Sequence, residues 1–394
     1  MKVRHALYVV AWMGWIARVR SNRMTFCTDE TDCFLNGECV NGASCRCKPQ
    51  WKGERCDVLN FVEASSSLGY HNASEASWGG NAVYDGDKWH LFVAQMANGC
   101  GLGAWGTHSQ IVRAEASSAL GPYTFKEVVI EPFAHNPTIR RLPNNEGYVL
   151  YFIGAGGISP ANLSNCSNPG MDISTGGAIH ASRADSVLGP WSDPIEILFD
   201  DDPSSPWGAA VTNPSPVIDE DGTTFLALQR VFAPNAGKEL LGVARAASWR
   251  GPFSMVTSTP IAPERWYCVA GTGEDPFLWK SSKGLHILFH GMCPSGFLQS
   301  HYAFSVDNGS TWTVSQRQTY GYDFAFSDAS SHFYARVERP QLIFDPADDV
   351  TPLGLANGVC DGGTVGDIYS CLFGQDGMTW TAMRRLQSSH GVRT

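Results

Sequence analysis

RAEASSALGPYTF, residues 113–125, runs a strand-like stretch into a Gly-Pro turn and then an aromatic. The same succession returns as ASRADSVLGPWSD at 181–193, VARAASWRGPFSM at 243–255, FSVDNGSTWT at 304–313 and FGQDGMTWT at 373–381, the last two with a polar Gly turn in place of Gly-Pro. The aromatics Tyr123, Trp191, Phe253, Trp312 and Trp380 lie 68, 62, 59 and 68 residues apart, an interval that suits one four-stranded unit with generous loops. A second element keeps the same beat. NAVYDGDKWHLFVAQ from Asn81, NPTIRRLPNNEGYVLYFIG from Asn136, NPSPVIDEDGTTFLALQR from Asn213, DPFLWKSSKGLHILFHG from Asp275 and RPQLIFDPADDVTPLGLANG from Arg339 each read as strand, tight turn, strand. No long helical period interrupts them. Five units of four strands predict an all-β domain, a five-bladed β-propeller, whose radial closure protects its strand edges.

In a propeller the first strand of each blade lines the axis, so residues far apart in sequence meet at one mouth of the channel. The openings of the five first strands are Gly80-Asn81, His135-Asn136, Thr212-Asn213, Glu274-Asp275 and Glu338-Arg339. Four are followed by Pro, which lacks a donor and is tolerated at a strand's first residue. Trp78 precedes the first opening, and a Gly-rich loop from Asn98 to Ser109 carries Trp105, so aromatic faces for stacking on sugar rings stand close to the polar ring. His135 is the one histidine at an opening, placed to hydrogen-bond a sugar or to order water. The loop has no phosphate-binding spacing, which excludes a nucleotide site.

Composition narrows the partner. Of 394 residues, 43% are hydrophobic and 17% charged, which excludes disorder for most of the chain, and the net charge of -10 argues against nucleic acid. A neutral oligo- or polysaccharide fits better. Lys2 and Arg4 precede a short apolar run from Ala6 to Ala17, which reads as a signal peptide over 1–23, and no later stretch is long enough to cross a bilayer. The expectation is a secreted, extracellular protein. The sequons at Asn72, Asn162, Asn165 and Asn308 suit that route as glycosylation sites.

Twelve cysteines follow the export signal, so disulfides are the default. Cys27, Cys33, Cys39, Cys45, Cys47 and Cys56 crowd into 24–57, a segment too small for a core of its own, and allow 15 connectivities. Proximity favours Cys268 with Cys293 and Cys360 with Cys371, leaving Cys100 for Cys166. No closely spaced His/Cys/Asp cluster suggests a metal site, and no cofactor is expected. The propeller takes the rest, 58–394.

Two resemblances sharpen this reading. CKPQWKGERC at 47–56 resembles the end of an EGF-like module, which implies the pairs Cys27–Cys39, Cys33–Cys45 and Cys47–Cys56; NRMTF before Cys27 lacks the acidic residues of calcium-binding members. The module would serve as a spacer or contact a cell surface or wall. EDPFLWK at 274–280 is similar to the E-x-P-x-L strand of the five-bladed propeller glycosidases, the superfamily of arabinanases, β-xylosidases and invertases, and the resemblance makes Glu274 the general acid. NPSPVIDEDGTTFLAL resembles the strand that opens on a tuning Asp, and NAVYDGDKWHLF the strand that opens on the base or nucleophile; here those positions read Asn213 and Asn81.

Glycoside hydrolysis needs one carboxyl group to protonate the leaving oxygen and a second to activate water or attack the sugar, and an amide does neither. Glu338, which opens the fifth blade, is the expected replacement, with Arg336 and Arg339 near enough to pair with one of the acids. Alternation along a strand puts Asp275 on the face opposite Glu274. The sequence therefore leads to an arabinofuranosidase- or xylosidase-like hydrolase with Glu274 and Glu338 catalytic, and with Asn81, His135, Asn136, Asn213, Asp275, Arg339 and Trp78 contacting substrate. The alternative is a non-catalytic glycan-binding or matrix protein, which the two amides favour.

Overall fold

The computed structural model describes residues 27–163, 165–166, 178–199, 210–231, 239–257, 259–261, 273–291, 300–361, 371 and 379–388. The expected signal peptide and the pair Cys268–Cys293 lie outside them.

Five four-stranded antiparallel sheets follow one another around an axis. Their first strands are Ser77–Tyr84, His135–Arg141, Ala210–Ile218, Gly273–Ser281 and Arg336–Phe344. Each pairs with the strand after its tight turn, as the second repeat element predicts. The fifth blade departs from a simple repeat. Its outer strand is Gly69–Tyr70 from the beginning of the domain, paired with Thr381 and Ala382, so the ring is closed by a strand from each end of the domain. Apolar side chains on facing blades pack together, as where Ile343 of the fifth blade meets Leu91 and Val93 of the first.

All five first strands break register at the same level, between Trp78 and Asn81, His135 and Thr138, Thr212 and Ser215, Glu274 and Phe277, and Glu338 and Gln341. The cause is visible in the sequence. Pro cannot donate to the ladder, so the strand bulges around it, and Asn136, Asn213, Asp275 and Arg339, each before its Pro, take φ of 52° to 53°. In the first blade the bulge is made by Gly79 and Gly80 instead, at φ 64° and 139°. For residues with a Cβ such angles store strain of roughly 1–3 kcal/mol each, and their convergence on one axis marks that end of the channel as a functional candidate.

Below the bulges, side chains peg blade to blade. The Asn81 Oδ1 accepts from the Ile139 amide, the Ser215 Oγ accepts from the Leu278 amide, and the Thr138 hydroxyl donates to the Pro214 carbonyl. A peg through a main-chain amide fixes how far one blade rotates against the next.

The N-terminal pairs Cys27–Cys39, Cys33–Cys45 and Cys47–Cys56 form as the resemblance implies, and Cys100–Cys166 and Cys360–Cys371 form as proximity suggests. The small module is no detached spacer. Phe34, Leu35, Trp51 and Leu59 share one apolar cluster with Trp279, Tyr302 and Phe304 of the fourth blade. The Tyr302 hydroxyl donates to the Phe34 carbonyl at 2.8 Å and lies 2.7 Å from His286 Nδ1. A hairpin pairs Trp51–Lys52 with Val58–Leu59, and the Leu59 amide donates to Thr319, so the backbone runs from module to blade without a free linker. Tyr302→Phe strands that buried carbonyl, and a loss of about 1–3 kcal/mol is expected in urea unfolding, with module and propeller still melting together. A change within about 0.5 kcal/mol, or two separate transitions, would show the docking to be incidental.

Candidate active site

At the bulged end of the axis lies a cavity of ≈ 130 Å³, walled by Trp78, Trp105, His135, Asn136, Thr212, Asn213, Gln229, Glu274, Asp275, Arg336 and Glu338. Every blade contributes. The bulge explains one departure from the sequence reading: Glu274 and Asp275 both face the cavity, because the left-handed turn at Asp275 breaks the alternation that would have separated them.

Asn81 is a second correction. The break between Trp78 and Asn81 aligns Trp78 with His135, Thr212, Glu274 and Glu338, and Gly79 with Asn136, Asn213, Asp275 and Arg339. Asn81 therefore belongs to the layer beneath, where its Oδ1 also accepts from Arg140 Nη1 at 3.0 Å, and it lines the opposite mouth of the channel. The first-blade position that matters is Gly79. A Cβ there would stand 2.3 Å from the Arg339 Cγ, so the absence of a side chain is what admits the Arg339 side chain.

Arg339, expected to contact substrate, is fully buried and plugs the axis under the cavity. Its Nη1 donates to Asp275 Oδ1 at 3.2 Å and its Nη2 to the Asn136 carbonyl at 2.8 Å. Asn136 Nδ2 donates in turn to Asn213 Oδ1 at 2.8 Å, and Asn213 Nδ2 to Gln229 Oε1 at 2.6 Å. The amides that replace carboxylates are thus tied into a neutral floor. Burial pushes the Asp275 carboxyl above its ordinary value although Arg339 and His290 pull it down. Burial likewise lowers the Arg339 guanidinium, offset by Asp275, but from a value so high that it stays charged.

The two catalytic candidates meet at one imidazole. His290, on the second strand of the fourth blade, has Nδ1 4.0 Å from Glu274 Oε2 and Nε2 3.6 Å from Glu338 Oε1. Those are contacts rather than hydrogen bonds, and they keep the two carboxyl groups within about 10 Å of each other, inside the range glycosidase pairs use. The Glu274 side chain is 25% exposed, against 8% for Glu338. Arg336 grips Glu338 with both ends of its fork, Nε to Oε1 at 2.6 Å and Nη2 to Oε2 at 2.7 Å. Burial alone would raise the Glu338 carboxyl, but Arg336 and then His290 outweigh it and hold it below the ordinary 4.5. Burial lowers His290 and keeps its imidazole neutral, with Glu338 and Asp275 opposing.

The cavity's outer wall is aromatic. Trp78 lies on Gly358, where a Cβ would come within 2.6 Å of the indole, and its ring faces the Arg336 guanidinium at 5.7 Å. Trp105 comes from the loop after the first blade's second strand and sits 5.0 Å from the His135 ring, whose Nδ1 is 2.7 Å from Ser109 Oγ. Burial, helped by Arg339, depresses His135 to about 3, so it meets a ligand as a neutral hydrogen-bonding group. The Cys100–Cys166 bridge and a bond from Asn98 to the Pro160 carbonyl at 2.9 Å tie this loop to the second blade. His290, Gln229 and Gly79 escaped the sequence reading as site residues. The Gly-Gly pair where other blades have X-Pro was the one signal for Gly79.

Neither a protein family nor a curated protein matches the chain in sequence. Solved structures do match in shape. A GH62 hydrolase in complex with xylotriose is similar with a TM-score of 0.55 at 10% identity, over 83% of this chain and 97% of that one. The catalytic domain of the Coprinopsis cinerea GH62 alpha-L-arabinofuranosidase gives 0.53 at 11% identity, over 83% and 97%. A family 117 glycoside hydrolase produced by the marine bacterium Zobellia galactanivorans gives 0.51 at 12% identity, over 86% and 91%. The fold is that of the five-bladed propeller glycoside hydrolases.

Proposed function

We propose that the protein is a glycoside hydrolase of an exported kind, acting on a neutral saccharide, with Glu274 as proton donor and Glu338 as the second carboxylate. The observation that carries this is the meeting of both carboxyl groups at His290 in a cavity fed by all five blades. Glu338, held ionised by Arg336, suits attack on the sugar or activation of water, and the more open Glu274 suits delivery of a proton to the leaving oxygen. Trp105 and Trp78 offer ring faces, while His135 and the Asn136–Asn213 floor offer hydrogen bonds to hydroxyls. Export agrees with the five described disulfides and with the exposed sequon residues Asn162, Asn165 and Asn308; Asn72 is half-buried, its amide turned toward Gln95.

The test is a panel of aryl arabinofuranosides and xylosides with plant and algal polysaccharides, read as product release, alongside a glycan array. Release that tracks the purified protein supports the enzyme. A second reading, sugar binding without turnover, is favoured by the engagement of both Glu338 oxygens and by Gly79 and Asn213 where the resembling strands open on Asp; array binding with no release from any substrate would establish it.

A further inference from the structure

The fork of Arg336 on Glu338 does more than neutralise a charge, and the part it would play in turnover rests on the hydrolase function proposed for this site. Arg336 and Glu338 are two residues apart on one strand, hence on the same face, and the guanidinium matches the carboxylate bidentately, the geometry that fixes both orientation and charge. Arg336 is itself held: its guanidinium lies over the Trp78 ring, and Trp78 rests against Gly358. The Asn357 side chain donates to the Glu338 carbonyl at 3.1 Å, so the backbone beneath is anchored as well.

We propose that Arg336 is the positioning residue that assigns the two carboxyl groups their roles, keeping Glu338 a fixed anion so that Glu274 alone exchanges the proton. The other charged and titratable groups around Glu338 do not offer this. Asp275 repels it and is engaged with Arg339, Glu274 has the same sign, His290 is neutral at 3.6 Å, and the buried hydroxyls of Tyr320 and Tyr322 stay protonated. Without Arg336, burial and like charge would act on Glu338 unopposed and drive it toward the neutral form. Both carboxyl groups would then be acids, and the site would lack a base.

The experiment compares Arg336→Met, which keeps the stem, with Arg336→Lys, which keeps the charge but not the fork. Carboxyl-labelled glutamate allows the Glu338 side chain to be titrated by NMR, its signal assigned with Glu338→Gln. In the wild type the midpoint is expected below 4.5; in Arg336→Met it is expected at least one unit higher, with Arg336→Lys between. Where a cleaved glycoside is in hand, the acid limb of its kcat/KM profile should move up by the same interval, with at least a tenfold loss at pH 5 that narrows toward pH 8. A titration midpoint that does not move in Arg336→Met overturns the proposal. A protein that cleaves nothing sinks the hydrolase reading, while the titration still decides whether Arg336 holds the anion. Circular dichroism of each variant at pH 7 excludes unfolding as the cause, and Arg336→Lys supplies a folded variant should Arg336→Met not be one.

Discussion

Glu274→Gln is expected to lower turnover of a cleaved glycoside by roughly 10²–10⁴-fold with little change in KM. Gln has the shape of the neutral acid and keeps its hydrogen-bonding capacity, so what is removed is the transferable proton. The loss should therefore depend on the leaving group. An alkyl or sugar alcohol, which departs poorly as an anion, should suffer the full effect, whereas a dinitrophenolate, which needs no protonation, should suffer far less. A uniform loss across leaving groups would mean that Glu274 binds or supports the fold, and an unchanged rate would remove it from the chemistry altogether. Glu338→Gln offers the contrasting pattern: its loss should be the same for good and poor leaving groups, because the missing carboxylate acts on the other side of the scissile bond.

The second large effect concerns stability. Arg339 is fully buried with one carboxylate partner, and removing one member of such a pair leaves the other charged in a site built for two. Arg339→Met is expected to cost about 3–5 kcal/mol in urea unfolding at pH 7. Asp275→Asn in the same chain should return a good part of the loss, since the stranded charge is gone. The pH dependence has a definite sign. The Asp275 carboxyl lies above its ordinary 3.8 already, so the folded state holds this proton more tightly than the unfolded one, and the group's contribution is full below 3.8 and fades as pH rises through the folded value. Without Arg339 that folded value climbs further, and the variant should be closest to wild type in acid and fall behind it toward neutrality. A variant as stable as the wild type at pH 7 would show that water fills the axis in place of the guanidinium.

The architecture was legible because each blade repeats two local signals, a turn before an aromatic and a strand entered through X-Pro, and neither depends on distant parts of the chain. Glu274, Asn136 and Asn213 were placed by the same signal. The first blade was misread by two positions, since Gly79-Gly80 makes the bulge that Pro makes elsewhere and glycine carries no mark of which turn it serves. Asp275 was set on the wrong face because alternation holds only in regular strand, and φ of 53° ends it. The fork between Arg336 and Glu338 could have been anticipated, as residues two apart share a face. The depth of Arg339 and the meeting of Glu274 with His290 could not, because both arise from packing between strands that sequence does not rank by distance.

The closure of the fifth blade bears on how the chain is made. Gly69–Tyr70 finds its partners only at Thr381 and Ala382, so a ribosome must complete nearly the whole domain before the ring can shut. Until then an early segment waits unpaired beside four finished neighbours, and loss of the last strand to a nonsense codon or a protease would leave the circle open at both ends. Quality control during synthesis thus has a single late checkpoint to read, and the survival of a newly made chain is set there rather than in any one blade.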